Sequence, residues 1–450
     1  MVEHFITRKD DKLFNGQEEF RFVSINIPNL HINEDPLPNW HRIDPWEVED
    51  ALKTIHLMGG QVTRTYTFSI KGGIRPGESG KAHIYSPGYF DEELFQDLDK
   101  VIELATKHNV RLIIPFIDYW DWFGGIKHFA SLRGKSAPEF WTDRELIEDF
   151  KQLIDYVINR TNSYTGVPYR EDKAIMAWET GNELDDCPDS WTAEITDYIR
   201  SLDKNHLIID GKYGISEASL DNPNVDIVSN HYYVDRGHDI VGRVIVDVEL
   251  AKGKKPFIIG EFNHKDTQIV KGVLETGIEK GMAGALLWSL RYHSKDGGFY
   301  YHGEPSEPNN PCFNWPGFPS REVTGERDKL QFLRESAYRI RNCPIPEVDE
   351  PDTPILLPIE SPEMIKWRGA AGAEKYILER AEQPEGPWMV ISDNIIEDSI
   401  PFVPFKDTPP SARRYFYRIK AWNQAGPSAP SNVEAVDNKS TVKSKLRCSI

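Results

Sequence analysis

Short, almost wholly apolar runs alternate with longer amphipathic segments between about residue 20 and residue 340. In order, the runs are Phe20–Asn26, Gln61–Tyr66, Val110–Ile117, Ala174–Trp178, His206–Asp210, Ile227–His231, Pro256–Glu261 and Gly284–Leu290. Runs such as Leu112-Ile113-Ile114-Pro115-Phe116-Ile117 leave no polar face, as expected of strands covered on both sides. Between them, Asp91–His108 puts Leu94, Leu98, Val101, Ile102 and Ala105 on one helical stripe. Asp143–Asn159 does the same with Leu146, Phe150, Leu153, Ile154 and Val157. Strand and helix in eightfold alternation predict an α/β fold, a (β/α)8 TIM barrel over residues 1–343. An open doubly wound sheet is the competing arrangement, and the first strand lacks the glycine-rich phosphate turn that would favour it.

The pattern changes after Cys343. Pro344, Pro346, Pro351, Pro354, Pro358 and Pro362 predict a stiff linker over 344–362. Beyond it, Met364-Ile365-Lys366-Trp367, Tyr376–Arg380 and Tyr415–Trp422 alternate with a period of two. A small all-β, immunoglobulin-like sandwich over 363–437 follows, then a flexible Lys- and Ser-rich tail over 438–450.

Composition narrows the partners. A formal net charge of −18 argues against nucleic acid and an anionic membrane surface as partners. No apolar stretch reaches the ~20 residues that span a bilayer. The four cysteines (Cys187, Cys312, Cys343, Cys448) have no metal-ligand spacing and do not form a disulfide framework, although a single bridge remains open. Residues 1–8 lack the basic-then-apolar pattern of a signal peptide. The expected compartment is extracellular or periplasmic, with a signal absent from this chain, and the cytoplasm is the alternative. Oligomeric state is not legible.

Candidate chemistry sits where two runs stop. Glu183 follows Trp178-Glu179-Thr180-Gly181-Asn182 after the fourth strand, and Glu261 closes Ile258-Ile259-Gly260 on the seventh. In a parallel barrel both side chains reach the carboxyl-end mouth, where active sites lie. Two carboxyl groups about 5 Å apart, one protonated and one ionised, can cleave a glycosidic bond with retention of configuration. Glu183 is the expected acid/base and Glu261 the expected nucleophile. Neither a metal nor a cofactor is expected, and Asp118, Asp121, Asp185 and Asp186 read as solvated rim charges.

Arg64, Asn182-Glu183, His231-Tyr232-Tyr233, Glu261 and Trp288 fall in an order that resembles glycoside hydrolase family 5. Trp120-Asp121-Trp122-Phe123-Gly124-Gly125 is similar to the Asn-Trp-x-x-Phe-Gly-Gly loop of endo-β-1,4-mannanases, and residues 162–183 are similar to the approach to their acid/base. The resemblance implies that Arg64 orients Glu261 and keeps it ionised, and that Asn182 bonds the sugar 2-hydroxyl. It also implies that His231 and Tyr233 serve the glutamates and the reacting sugar, with Trp288 stacked beneath it. Trp120, Trp122 and Phe123 offer a platform for flanking sugars or, alternatively, a satellite apolar cluster. The implied substrate is a β-1,4-linked mannan-type polysaccharide or oligosaccharide. Other readings are a cellulase-like or exo-acting hydrolase of another β-glucan, or a non-catalytic carbohydrate-binding barrel. Leu184-Asp185 replaces the mannanases' usual proline after Asn-Glu, and the loop Val234-Asp235-Arg236-Gly237 lacks their Trp. The C-terminal strands resemble a fibronectin type III domain.

Overall fold

The structure, a computed structural model, describes residues 2–36, 40–73, 81–233, 239–302 and 312–438. The sequence's 234–237 loop and the tail beyond Asn438 lie outside the described residues.

Among the described residues, eight short parallel strands carry the barrel: β1 (Phe22–Ile25), β2 (Val62–Arg64), β3 (Arg111–Pro115), β4 (Ile175–Glu179), β5 (Leu207–Ile209), β6 (Val228–Tyr232), β7 (Phe257–Phe262) and β8 (Gly284–Leu287). They form two four-stranded sheets, β2-β3-β4-β5 and β6-β7-β8-β1. Two seams join them. Ile209 bridges Ile227 in parallel fashion, and the Ile27 N–H donates to the Arg64 carbonyl at 3.1 Å. The closed sheet leaves no edge to solvent, which is why these strands need no polar face.

Each predicted strand is present, with its ends displaced by no more than three residues; β4, β6 and β7 run one residue past the predicted end. Among the helices are α1 (Pro45–Leu57), α2 (Glu92–Lys107), α3 (Arg144–Ile158), α4 (Asp189–Leu202), α5 (Glu217–Asp221), α6 (Ile240–Ala251), α7 (Thr267–Lys280) and α8 (Glu326–Arg339). Asp91 begins α2 by accepting from the Leu94 N–H, and Asp143 begins α3 by accepting from the Leu146 N–H. Both satisfy a backbone donor that the first helical turn leaves without a partner.

The sheet before the barrel escaped the sequence pattern. Ile6–Lys9, Lys12–Asn15 and Glu18–Phe20 form an antiparallel sheet before the barrel begins, so Phe20 belongs to it and not to β1. Its Ile6, Leu13 and Phe20 share a core cluster with Phe22, Ile113, Met176, Ile258 and Leu286 of the strands. The sheet therefore plugs the amino-terminal end of the barrel and leaves chemistry to the other end.

The chain divides into two compact units, Met1–Tyr292 with Tyr301–Pro346, and His293–Tyr300 with Glu347 onward. The second is antiparallel: β9 (Ile355–Leu356) pairs β10 (Trp367–Arg368), while β11 (Lys375–Ala381) lies between β12 (Met389–Ile395) and β13 (Arg414–Asn423). Its core includes Leu356, Ile359, Trp367, Tyr376 and Tyr417. The proline-rich stretch is thus not a spacer throughout: from Glu347 it belongs to this unit, and Leu356 and Ile359 supply part of the core. His293–Tyr300 also belongs here, its Gly298 seated against Phe402. A contiguous barrel over 1–343 is corrected to a chain whose second unit is discontinuous.

Candidate active site

The strands' carboxyl ends deliver Arg64 (β2), Glu179 (β4), His231 (β6) and Glu261 (β7) to one mouth, with Asn182, Glu183 and Trp288 just beyond strand ends. Local backbone aims the two glutamates. Glu183 has φ of 48°, a left-handed conformation that costs a non-glycine residue roughly 1–2 kcal/mol and marks a constrained site. The β6–β7 register skips Gly260, so that His231 pairs Glu261. A Cβ at Gly260 would lie 2.6 Å from His231 Nε2, which explains the glycine beside the carboxylate.

The predicted pair meets. A carboxylate oxygen of Glu183, one of Glu261 and a ring nitrogen of His231 all lie within 4.8 Å of one another. His231 Nδ1 is 2.9 Å from Glu183 Oε1 and 3.5 Å from Glu261 Oε2. Arg64 Nη1 donates to Glu261 Oε1 at 2.8 Å, and the Tyr233 hydroxyl donates to Glu261 Oε2 at 2.6 Å. The Trp120 indole N–H donates to Glu183 Oε2 at 2.7 Å. Both carboxylates are buried, and the space between them is where a reacting anomeric carbon fits.

Arg64 does more than the sequence implied. Nε donates to Glu179 Oε2 at 2.6 Å and Nη2 donates to Asn182 Oδ1 at 2.8 Å, so one buried guanidinium organises three acceptors. Glu179 went unrecognised, although its place on the last residue of β4 was the same signal that marked Glu261.

Burial pushes the Glu261 carboxyl above its ordinary value, against the pull of His231 and Arg64. The expectation that Arg64 keeps Glu261 ionised is therefore modified: desolvation is the larger influence, and His231, Arg64 and Tyr233 oppose it. For His231, burial works downward, but Glu261 and then Glu183 outweigh it and the imidazole is raised.

Asp118 corrects the sequence reading outright. It is buried, accepting from the Tyr66 hydroxyl at 2.8 Å and from Asn182 Nδ2 at 2.9 Å. Burial lifts its carboxyl to about 7. Asp121, Asp185 and Asp186 are exposed, as rim charges should be. Asn182 is consequently held from both sides, with Oδ1 facing Arg64 and Nδ2 facing Asp118.

The aromatics divide. Trp288 follows β8 and packs with Trp122 against a cluster containing Tyr66 and Phe123, with 6.0 Å between the Tyr66 and Trp288 rings. Phe123 is fully buried, so it is core and not platform. Trp120 is 40% exposed with its N–H bonded to Glu183, whereas Trp122 is half-buried with its N–H bonded to Glu34. Glu183, His231 and Glu261 have the ligand types for a cation, but Arg64 already supplies positive charge to that set.

A closed parallel barrel with two glutamates facing each other at its carboxyl mouth defines a glycoside hydrolase. The chain belongs to the glycoside hydrolase family 5 β-mannosidase-like family, whose model matches residues 3–236. It is 30% identical over 349 residues to mannan endo-1,4-beta-mannosidase 1 of Solanum lycopersicum, covering 65% of this chain and 83% of that protein. Mannan endo-1,4-beta-mannosidase 3 of the same species is 30% identical over 358 residues, covering 65% and 82%. The endo-beta-1,4-mannanase structure of Thermotoga petrophila shares the fold with a TM-score of 0.61 at 21% identity, over 94% of this chain and 98% of that one.

Proposed function

We propose that this chain hydrolyses β-1,4-linked mannan-type polysaccharide or oligosaccharide by double displacement with retention. The carrying observation is that a carboxylate oxygen of Glu183 and one of Glu261 lie within 4.8 Å of each other, which favours the close pair of a retaining enzyme over the wider pair that seats a water in an inverting one. Glu261 attacks the anomeric carbon while Glu183 protonates the departing oxygen. Glu183 then takes a proton from water, which attacks the same carbon and frees Glu261. Arg64 and Tyr233 occupy both Glu261 oxygens and orient the nucleophile, and Trp120 does the same for the acid. The family and the curated relatives support mannan over a β-glucan. We read the second unit as a fibronectin type III-like accessory module and the enzyme as secreted.

Substituting each glutamate tests the assignment. Glu261→Ala should abolish turnover of mannohexaose, with added azide yielding only an inverted glycosyl azide from activated substrates. Glu183→Ala should act only on substrates with good leaving groups. Parent-like hydrolysis of mannohexaose by both variants would remove the mechanism. Parent activity on cellohexaose with none on mannohexaose would move the substrate to a β-glucan.

A further inference from the structure

Trp122 lies in the loop after β3, and its indole N–H donates to Glu34 Oε2 at 2.5 Å. Glu34, in the loop after β1, is 1% exposed. Arg291, just beyond β8, backs it: Nη2 donates to Glu34 Oε1 at 3.3 Å, Nε pairs with Asp35, and Nη1 donates to Ser289 Oγ at 2.9 Å. His302 Nδ1 lies 3.1 Å from Asp35 Oδ1 and 3.5 Å from Glu34 Oε1, and its ring packs 4.8 Å from that of Trp122. Three mouth loops are therefore tied together behind a single indole. Glu34, Asp35 and His302 have a cation-ligating geometry, yet Arg291 already donates to both carboxylates and would repel a metal.

An indole held at its N–H and against an imidazole has little rotamer freedom left. It shares its aromatic cluster with Trp288 and Tyr66, and the Tyr66 hydroxyl reaches Asn182 and Asp118 at the catalytic centre. We propose that Glu34 is a positioning residue, fixing the Trp122 ring as a rigid wall against which a sugar flanking the reacting one is held. This rests on the reading of the protein as a β-mannan hydrolase. A wall set in place beforehand lowers the ordering cost of binding and leaves the chemical step alone. Burial and the neighbouring Asp35 carboxylate lift the Glu34 carboxyl to about 7, with Arg291 and His302 pulling the other way, so the indole's acceptor changes charge near neutrality.

The experiment compares the full-length parent, Glu34→Gln, Trp122→Phe and the double variant on mannohexaose. Each single variant should raise KM about five- to tenfold with kcat within about twofold, the pattern of lost uniform binding. The double variant should be no worse than the worse single one, because both changes break one link. Multiplying effects, or an unchanged KM in Trp122→Phe, which leaves every charge in place, overturns the proposal. A readout independent of turnover is the Trp122 indole N–H resonance, identified by its loss in Trp122→Phe. It should titrate between about pH 5 and about pH 8 in the parent, and the part of that movement due to Glu34 should be missing from Glu34→Gln. A resonance titrating alike in both overturns the Glu34–Trp122 link. A parent that leaves mannohexaose intact overturns the substrate reading instead, and the resonance still decides the role of Glu34.

Discussion

Asp118 carries a lesson about single residues at a mouth. Its carboxylate accepts from Tyr66, Asn182 and the Trp120 backbone, yet burial outweighs these bonds and lifts it to about 7. An acid whose folded pKa lies above its ordinary value of about 3.9 contributes stability that is present below that value and lost as pH rises through about 7. Asp118→Asn does not titrate, so thermal midpoints of parent and variant should shift in the variant's favour between about pH 4 and about pH 8. A difference that stays flat across that range would mean that Asp118 titrates alike in the folded and unfolded chain. Residue type and strand-end position identified Glu183, Glu261 and Arg64. Nothing local told Asp118 from Asp121, because only the folding of β2, β3 and β4 against one another decides which is covered.

Among elements, the barrel strands were legible because a strand buried on both faces must be apolar throughout, a pattern that surface strands do not share. Helices were legible for a related reason: one stripe faces the sheet and the rest faces water. Their starts follow from single side chains. Asp91→Ala removes the acceptor for the Leu94 N–H and should destabilise the protein by about 1 kcal/mol with kcat unchanged. Urea unfolding at matched activity measures it, and an unaltered midpoint would show that water replaces the cap without loss. The amino-terminal sheet was missed because its strands are three or four residues long with few apolar positions. It is held by turns at Asp10 (φ 54°) and Gly16 (φ 64°) and by packing under the barrel.

At the scale of the molecule, buried polar groups link distant segments and set acid sensitivity. His31, beyond β1, and His83, ahead of α2, are both fully buried with ring nitrogens 3.3 Å apart; His31 Nε2 also lies 2.9 Å from the Tyr66 carbonyl, so it donates there. Burial lowers both imidazoles, His31 to about 4. A histidine with a depressed folded pKa gives stability that is present above its ordinary value of about 6.5 and lost as pH falls through about 4. The urea midpoint should therefore fall on acidification from about pH 7 to about pH 4, and less steeply in a His31→Gln/His83→Gln double variant. Equal slopes would remove these imidazoles from the acid transition.

By itself the sequence determined the alternation of strand and helix, the number of barrel strands and the two glutamates at strand ends, since each follows from periodicity or from a charge placed against an apolar run. Tertiary structure alone decided that Arg64 serves Glu179 and Asn182 as well as Glu261, that Asp118 and Glu34 are buried, that Trp122 is anchored while Trp120 stays exposed, and that residues 293–300 pack with the second unit. Those outcomes depend on which segments, remote along the chain, come to share a desolvated space. Burial and partnership are properties of that space and leave no periodic trace in the order of residues.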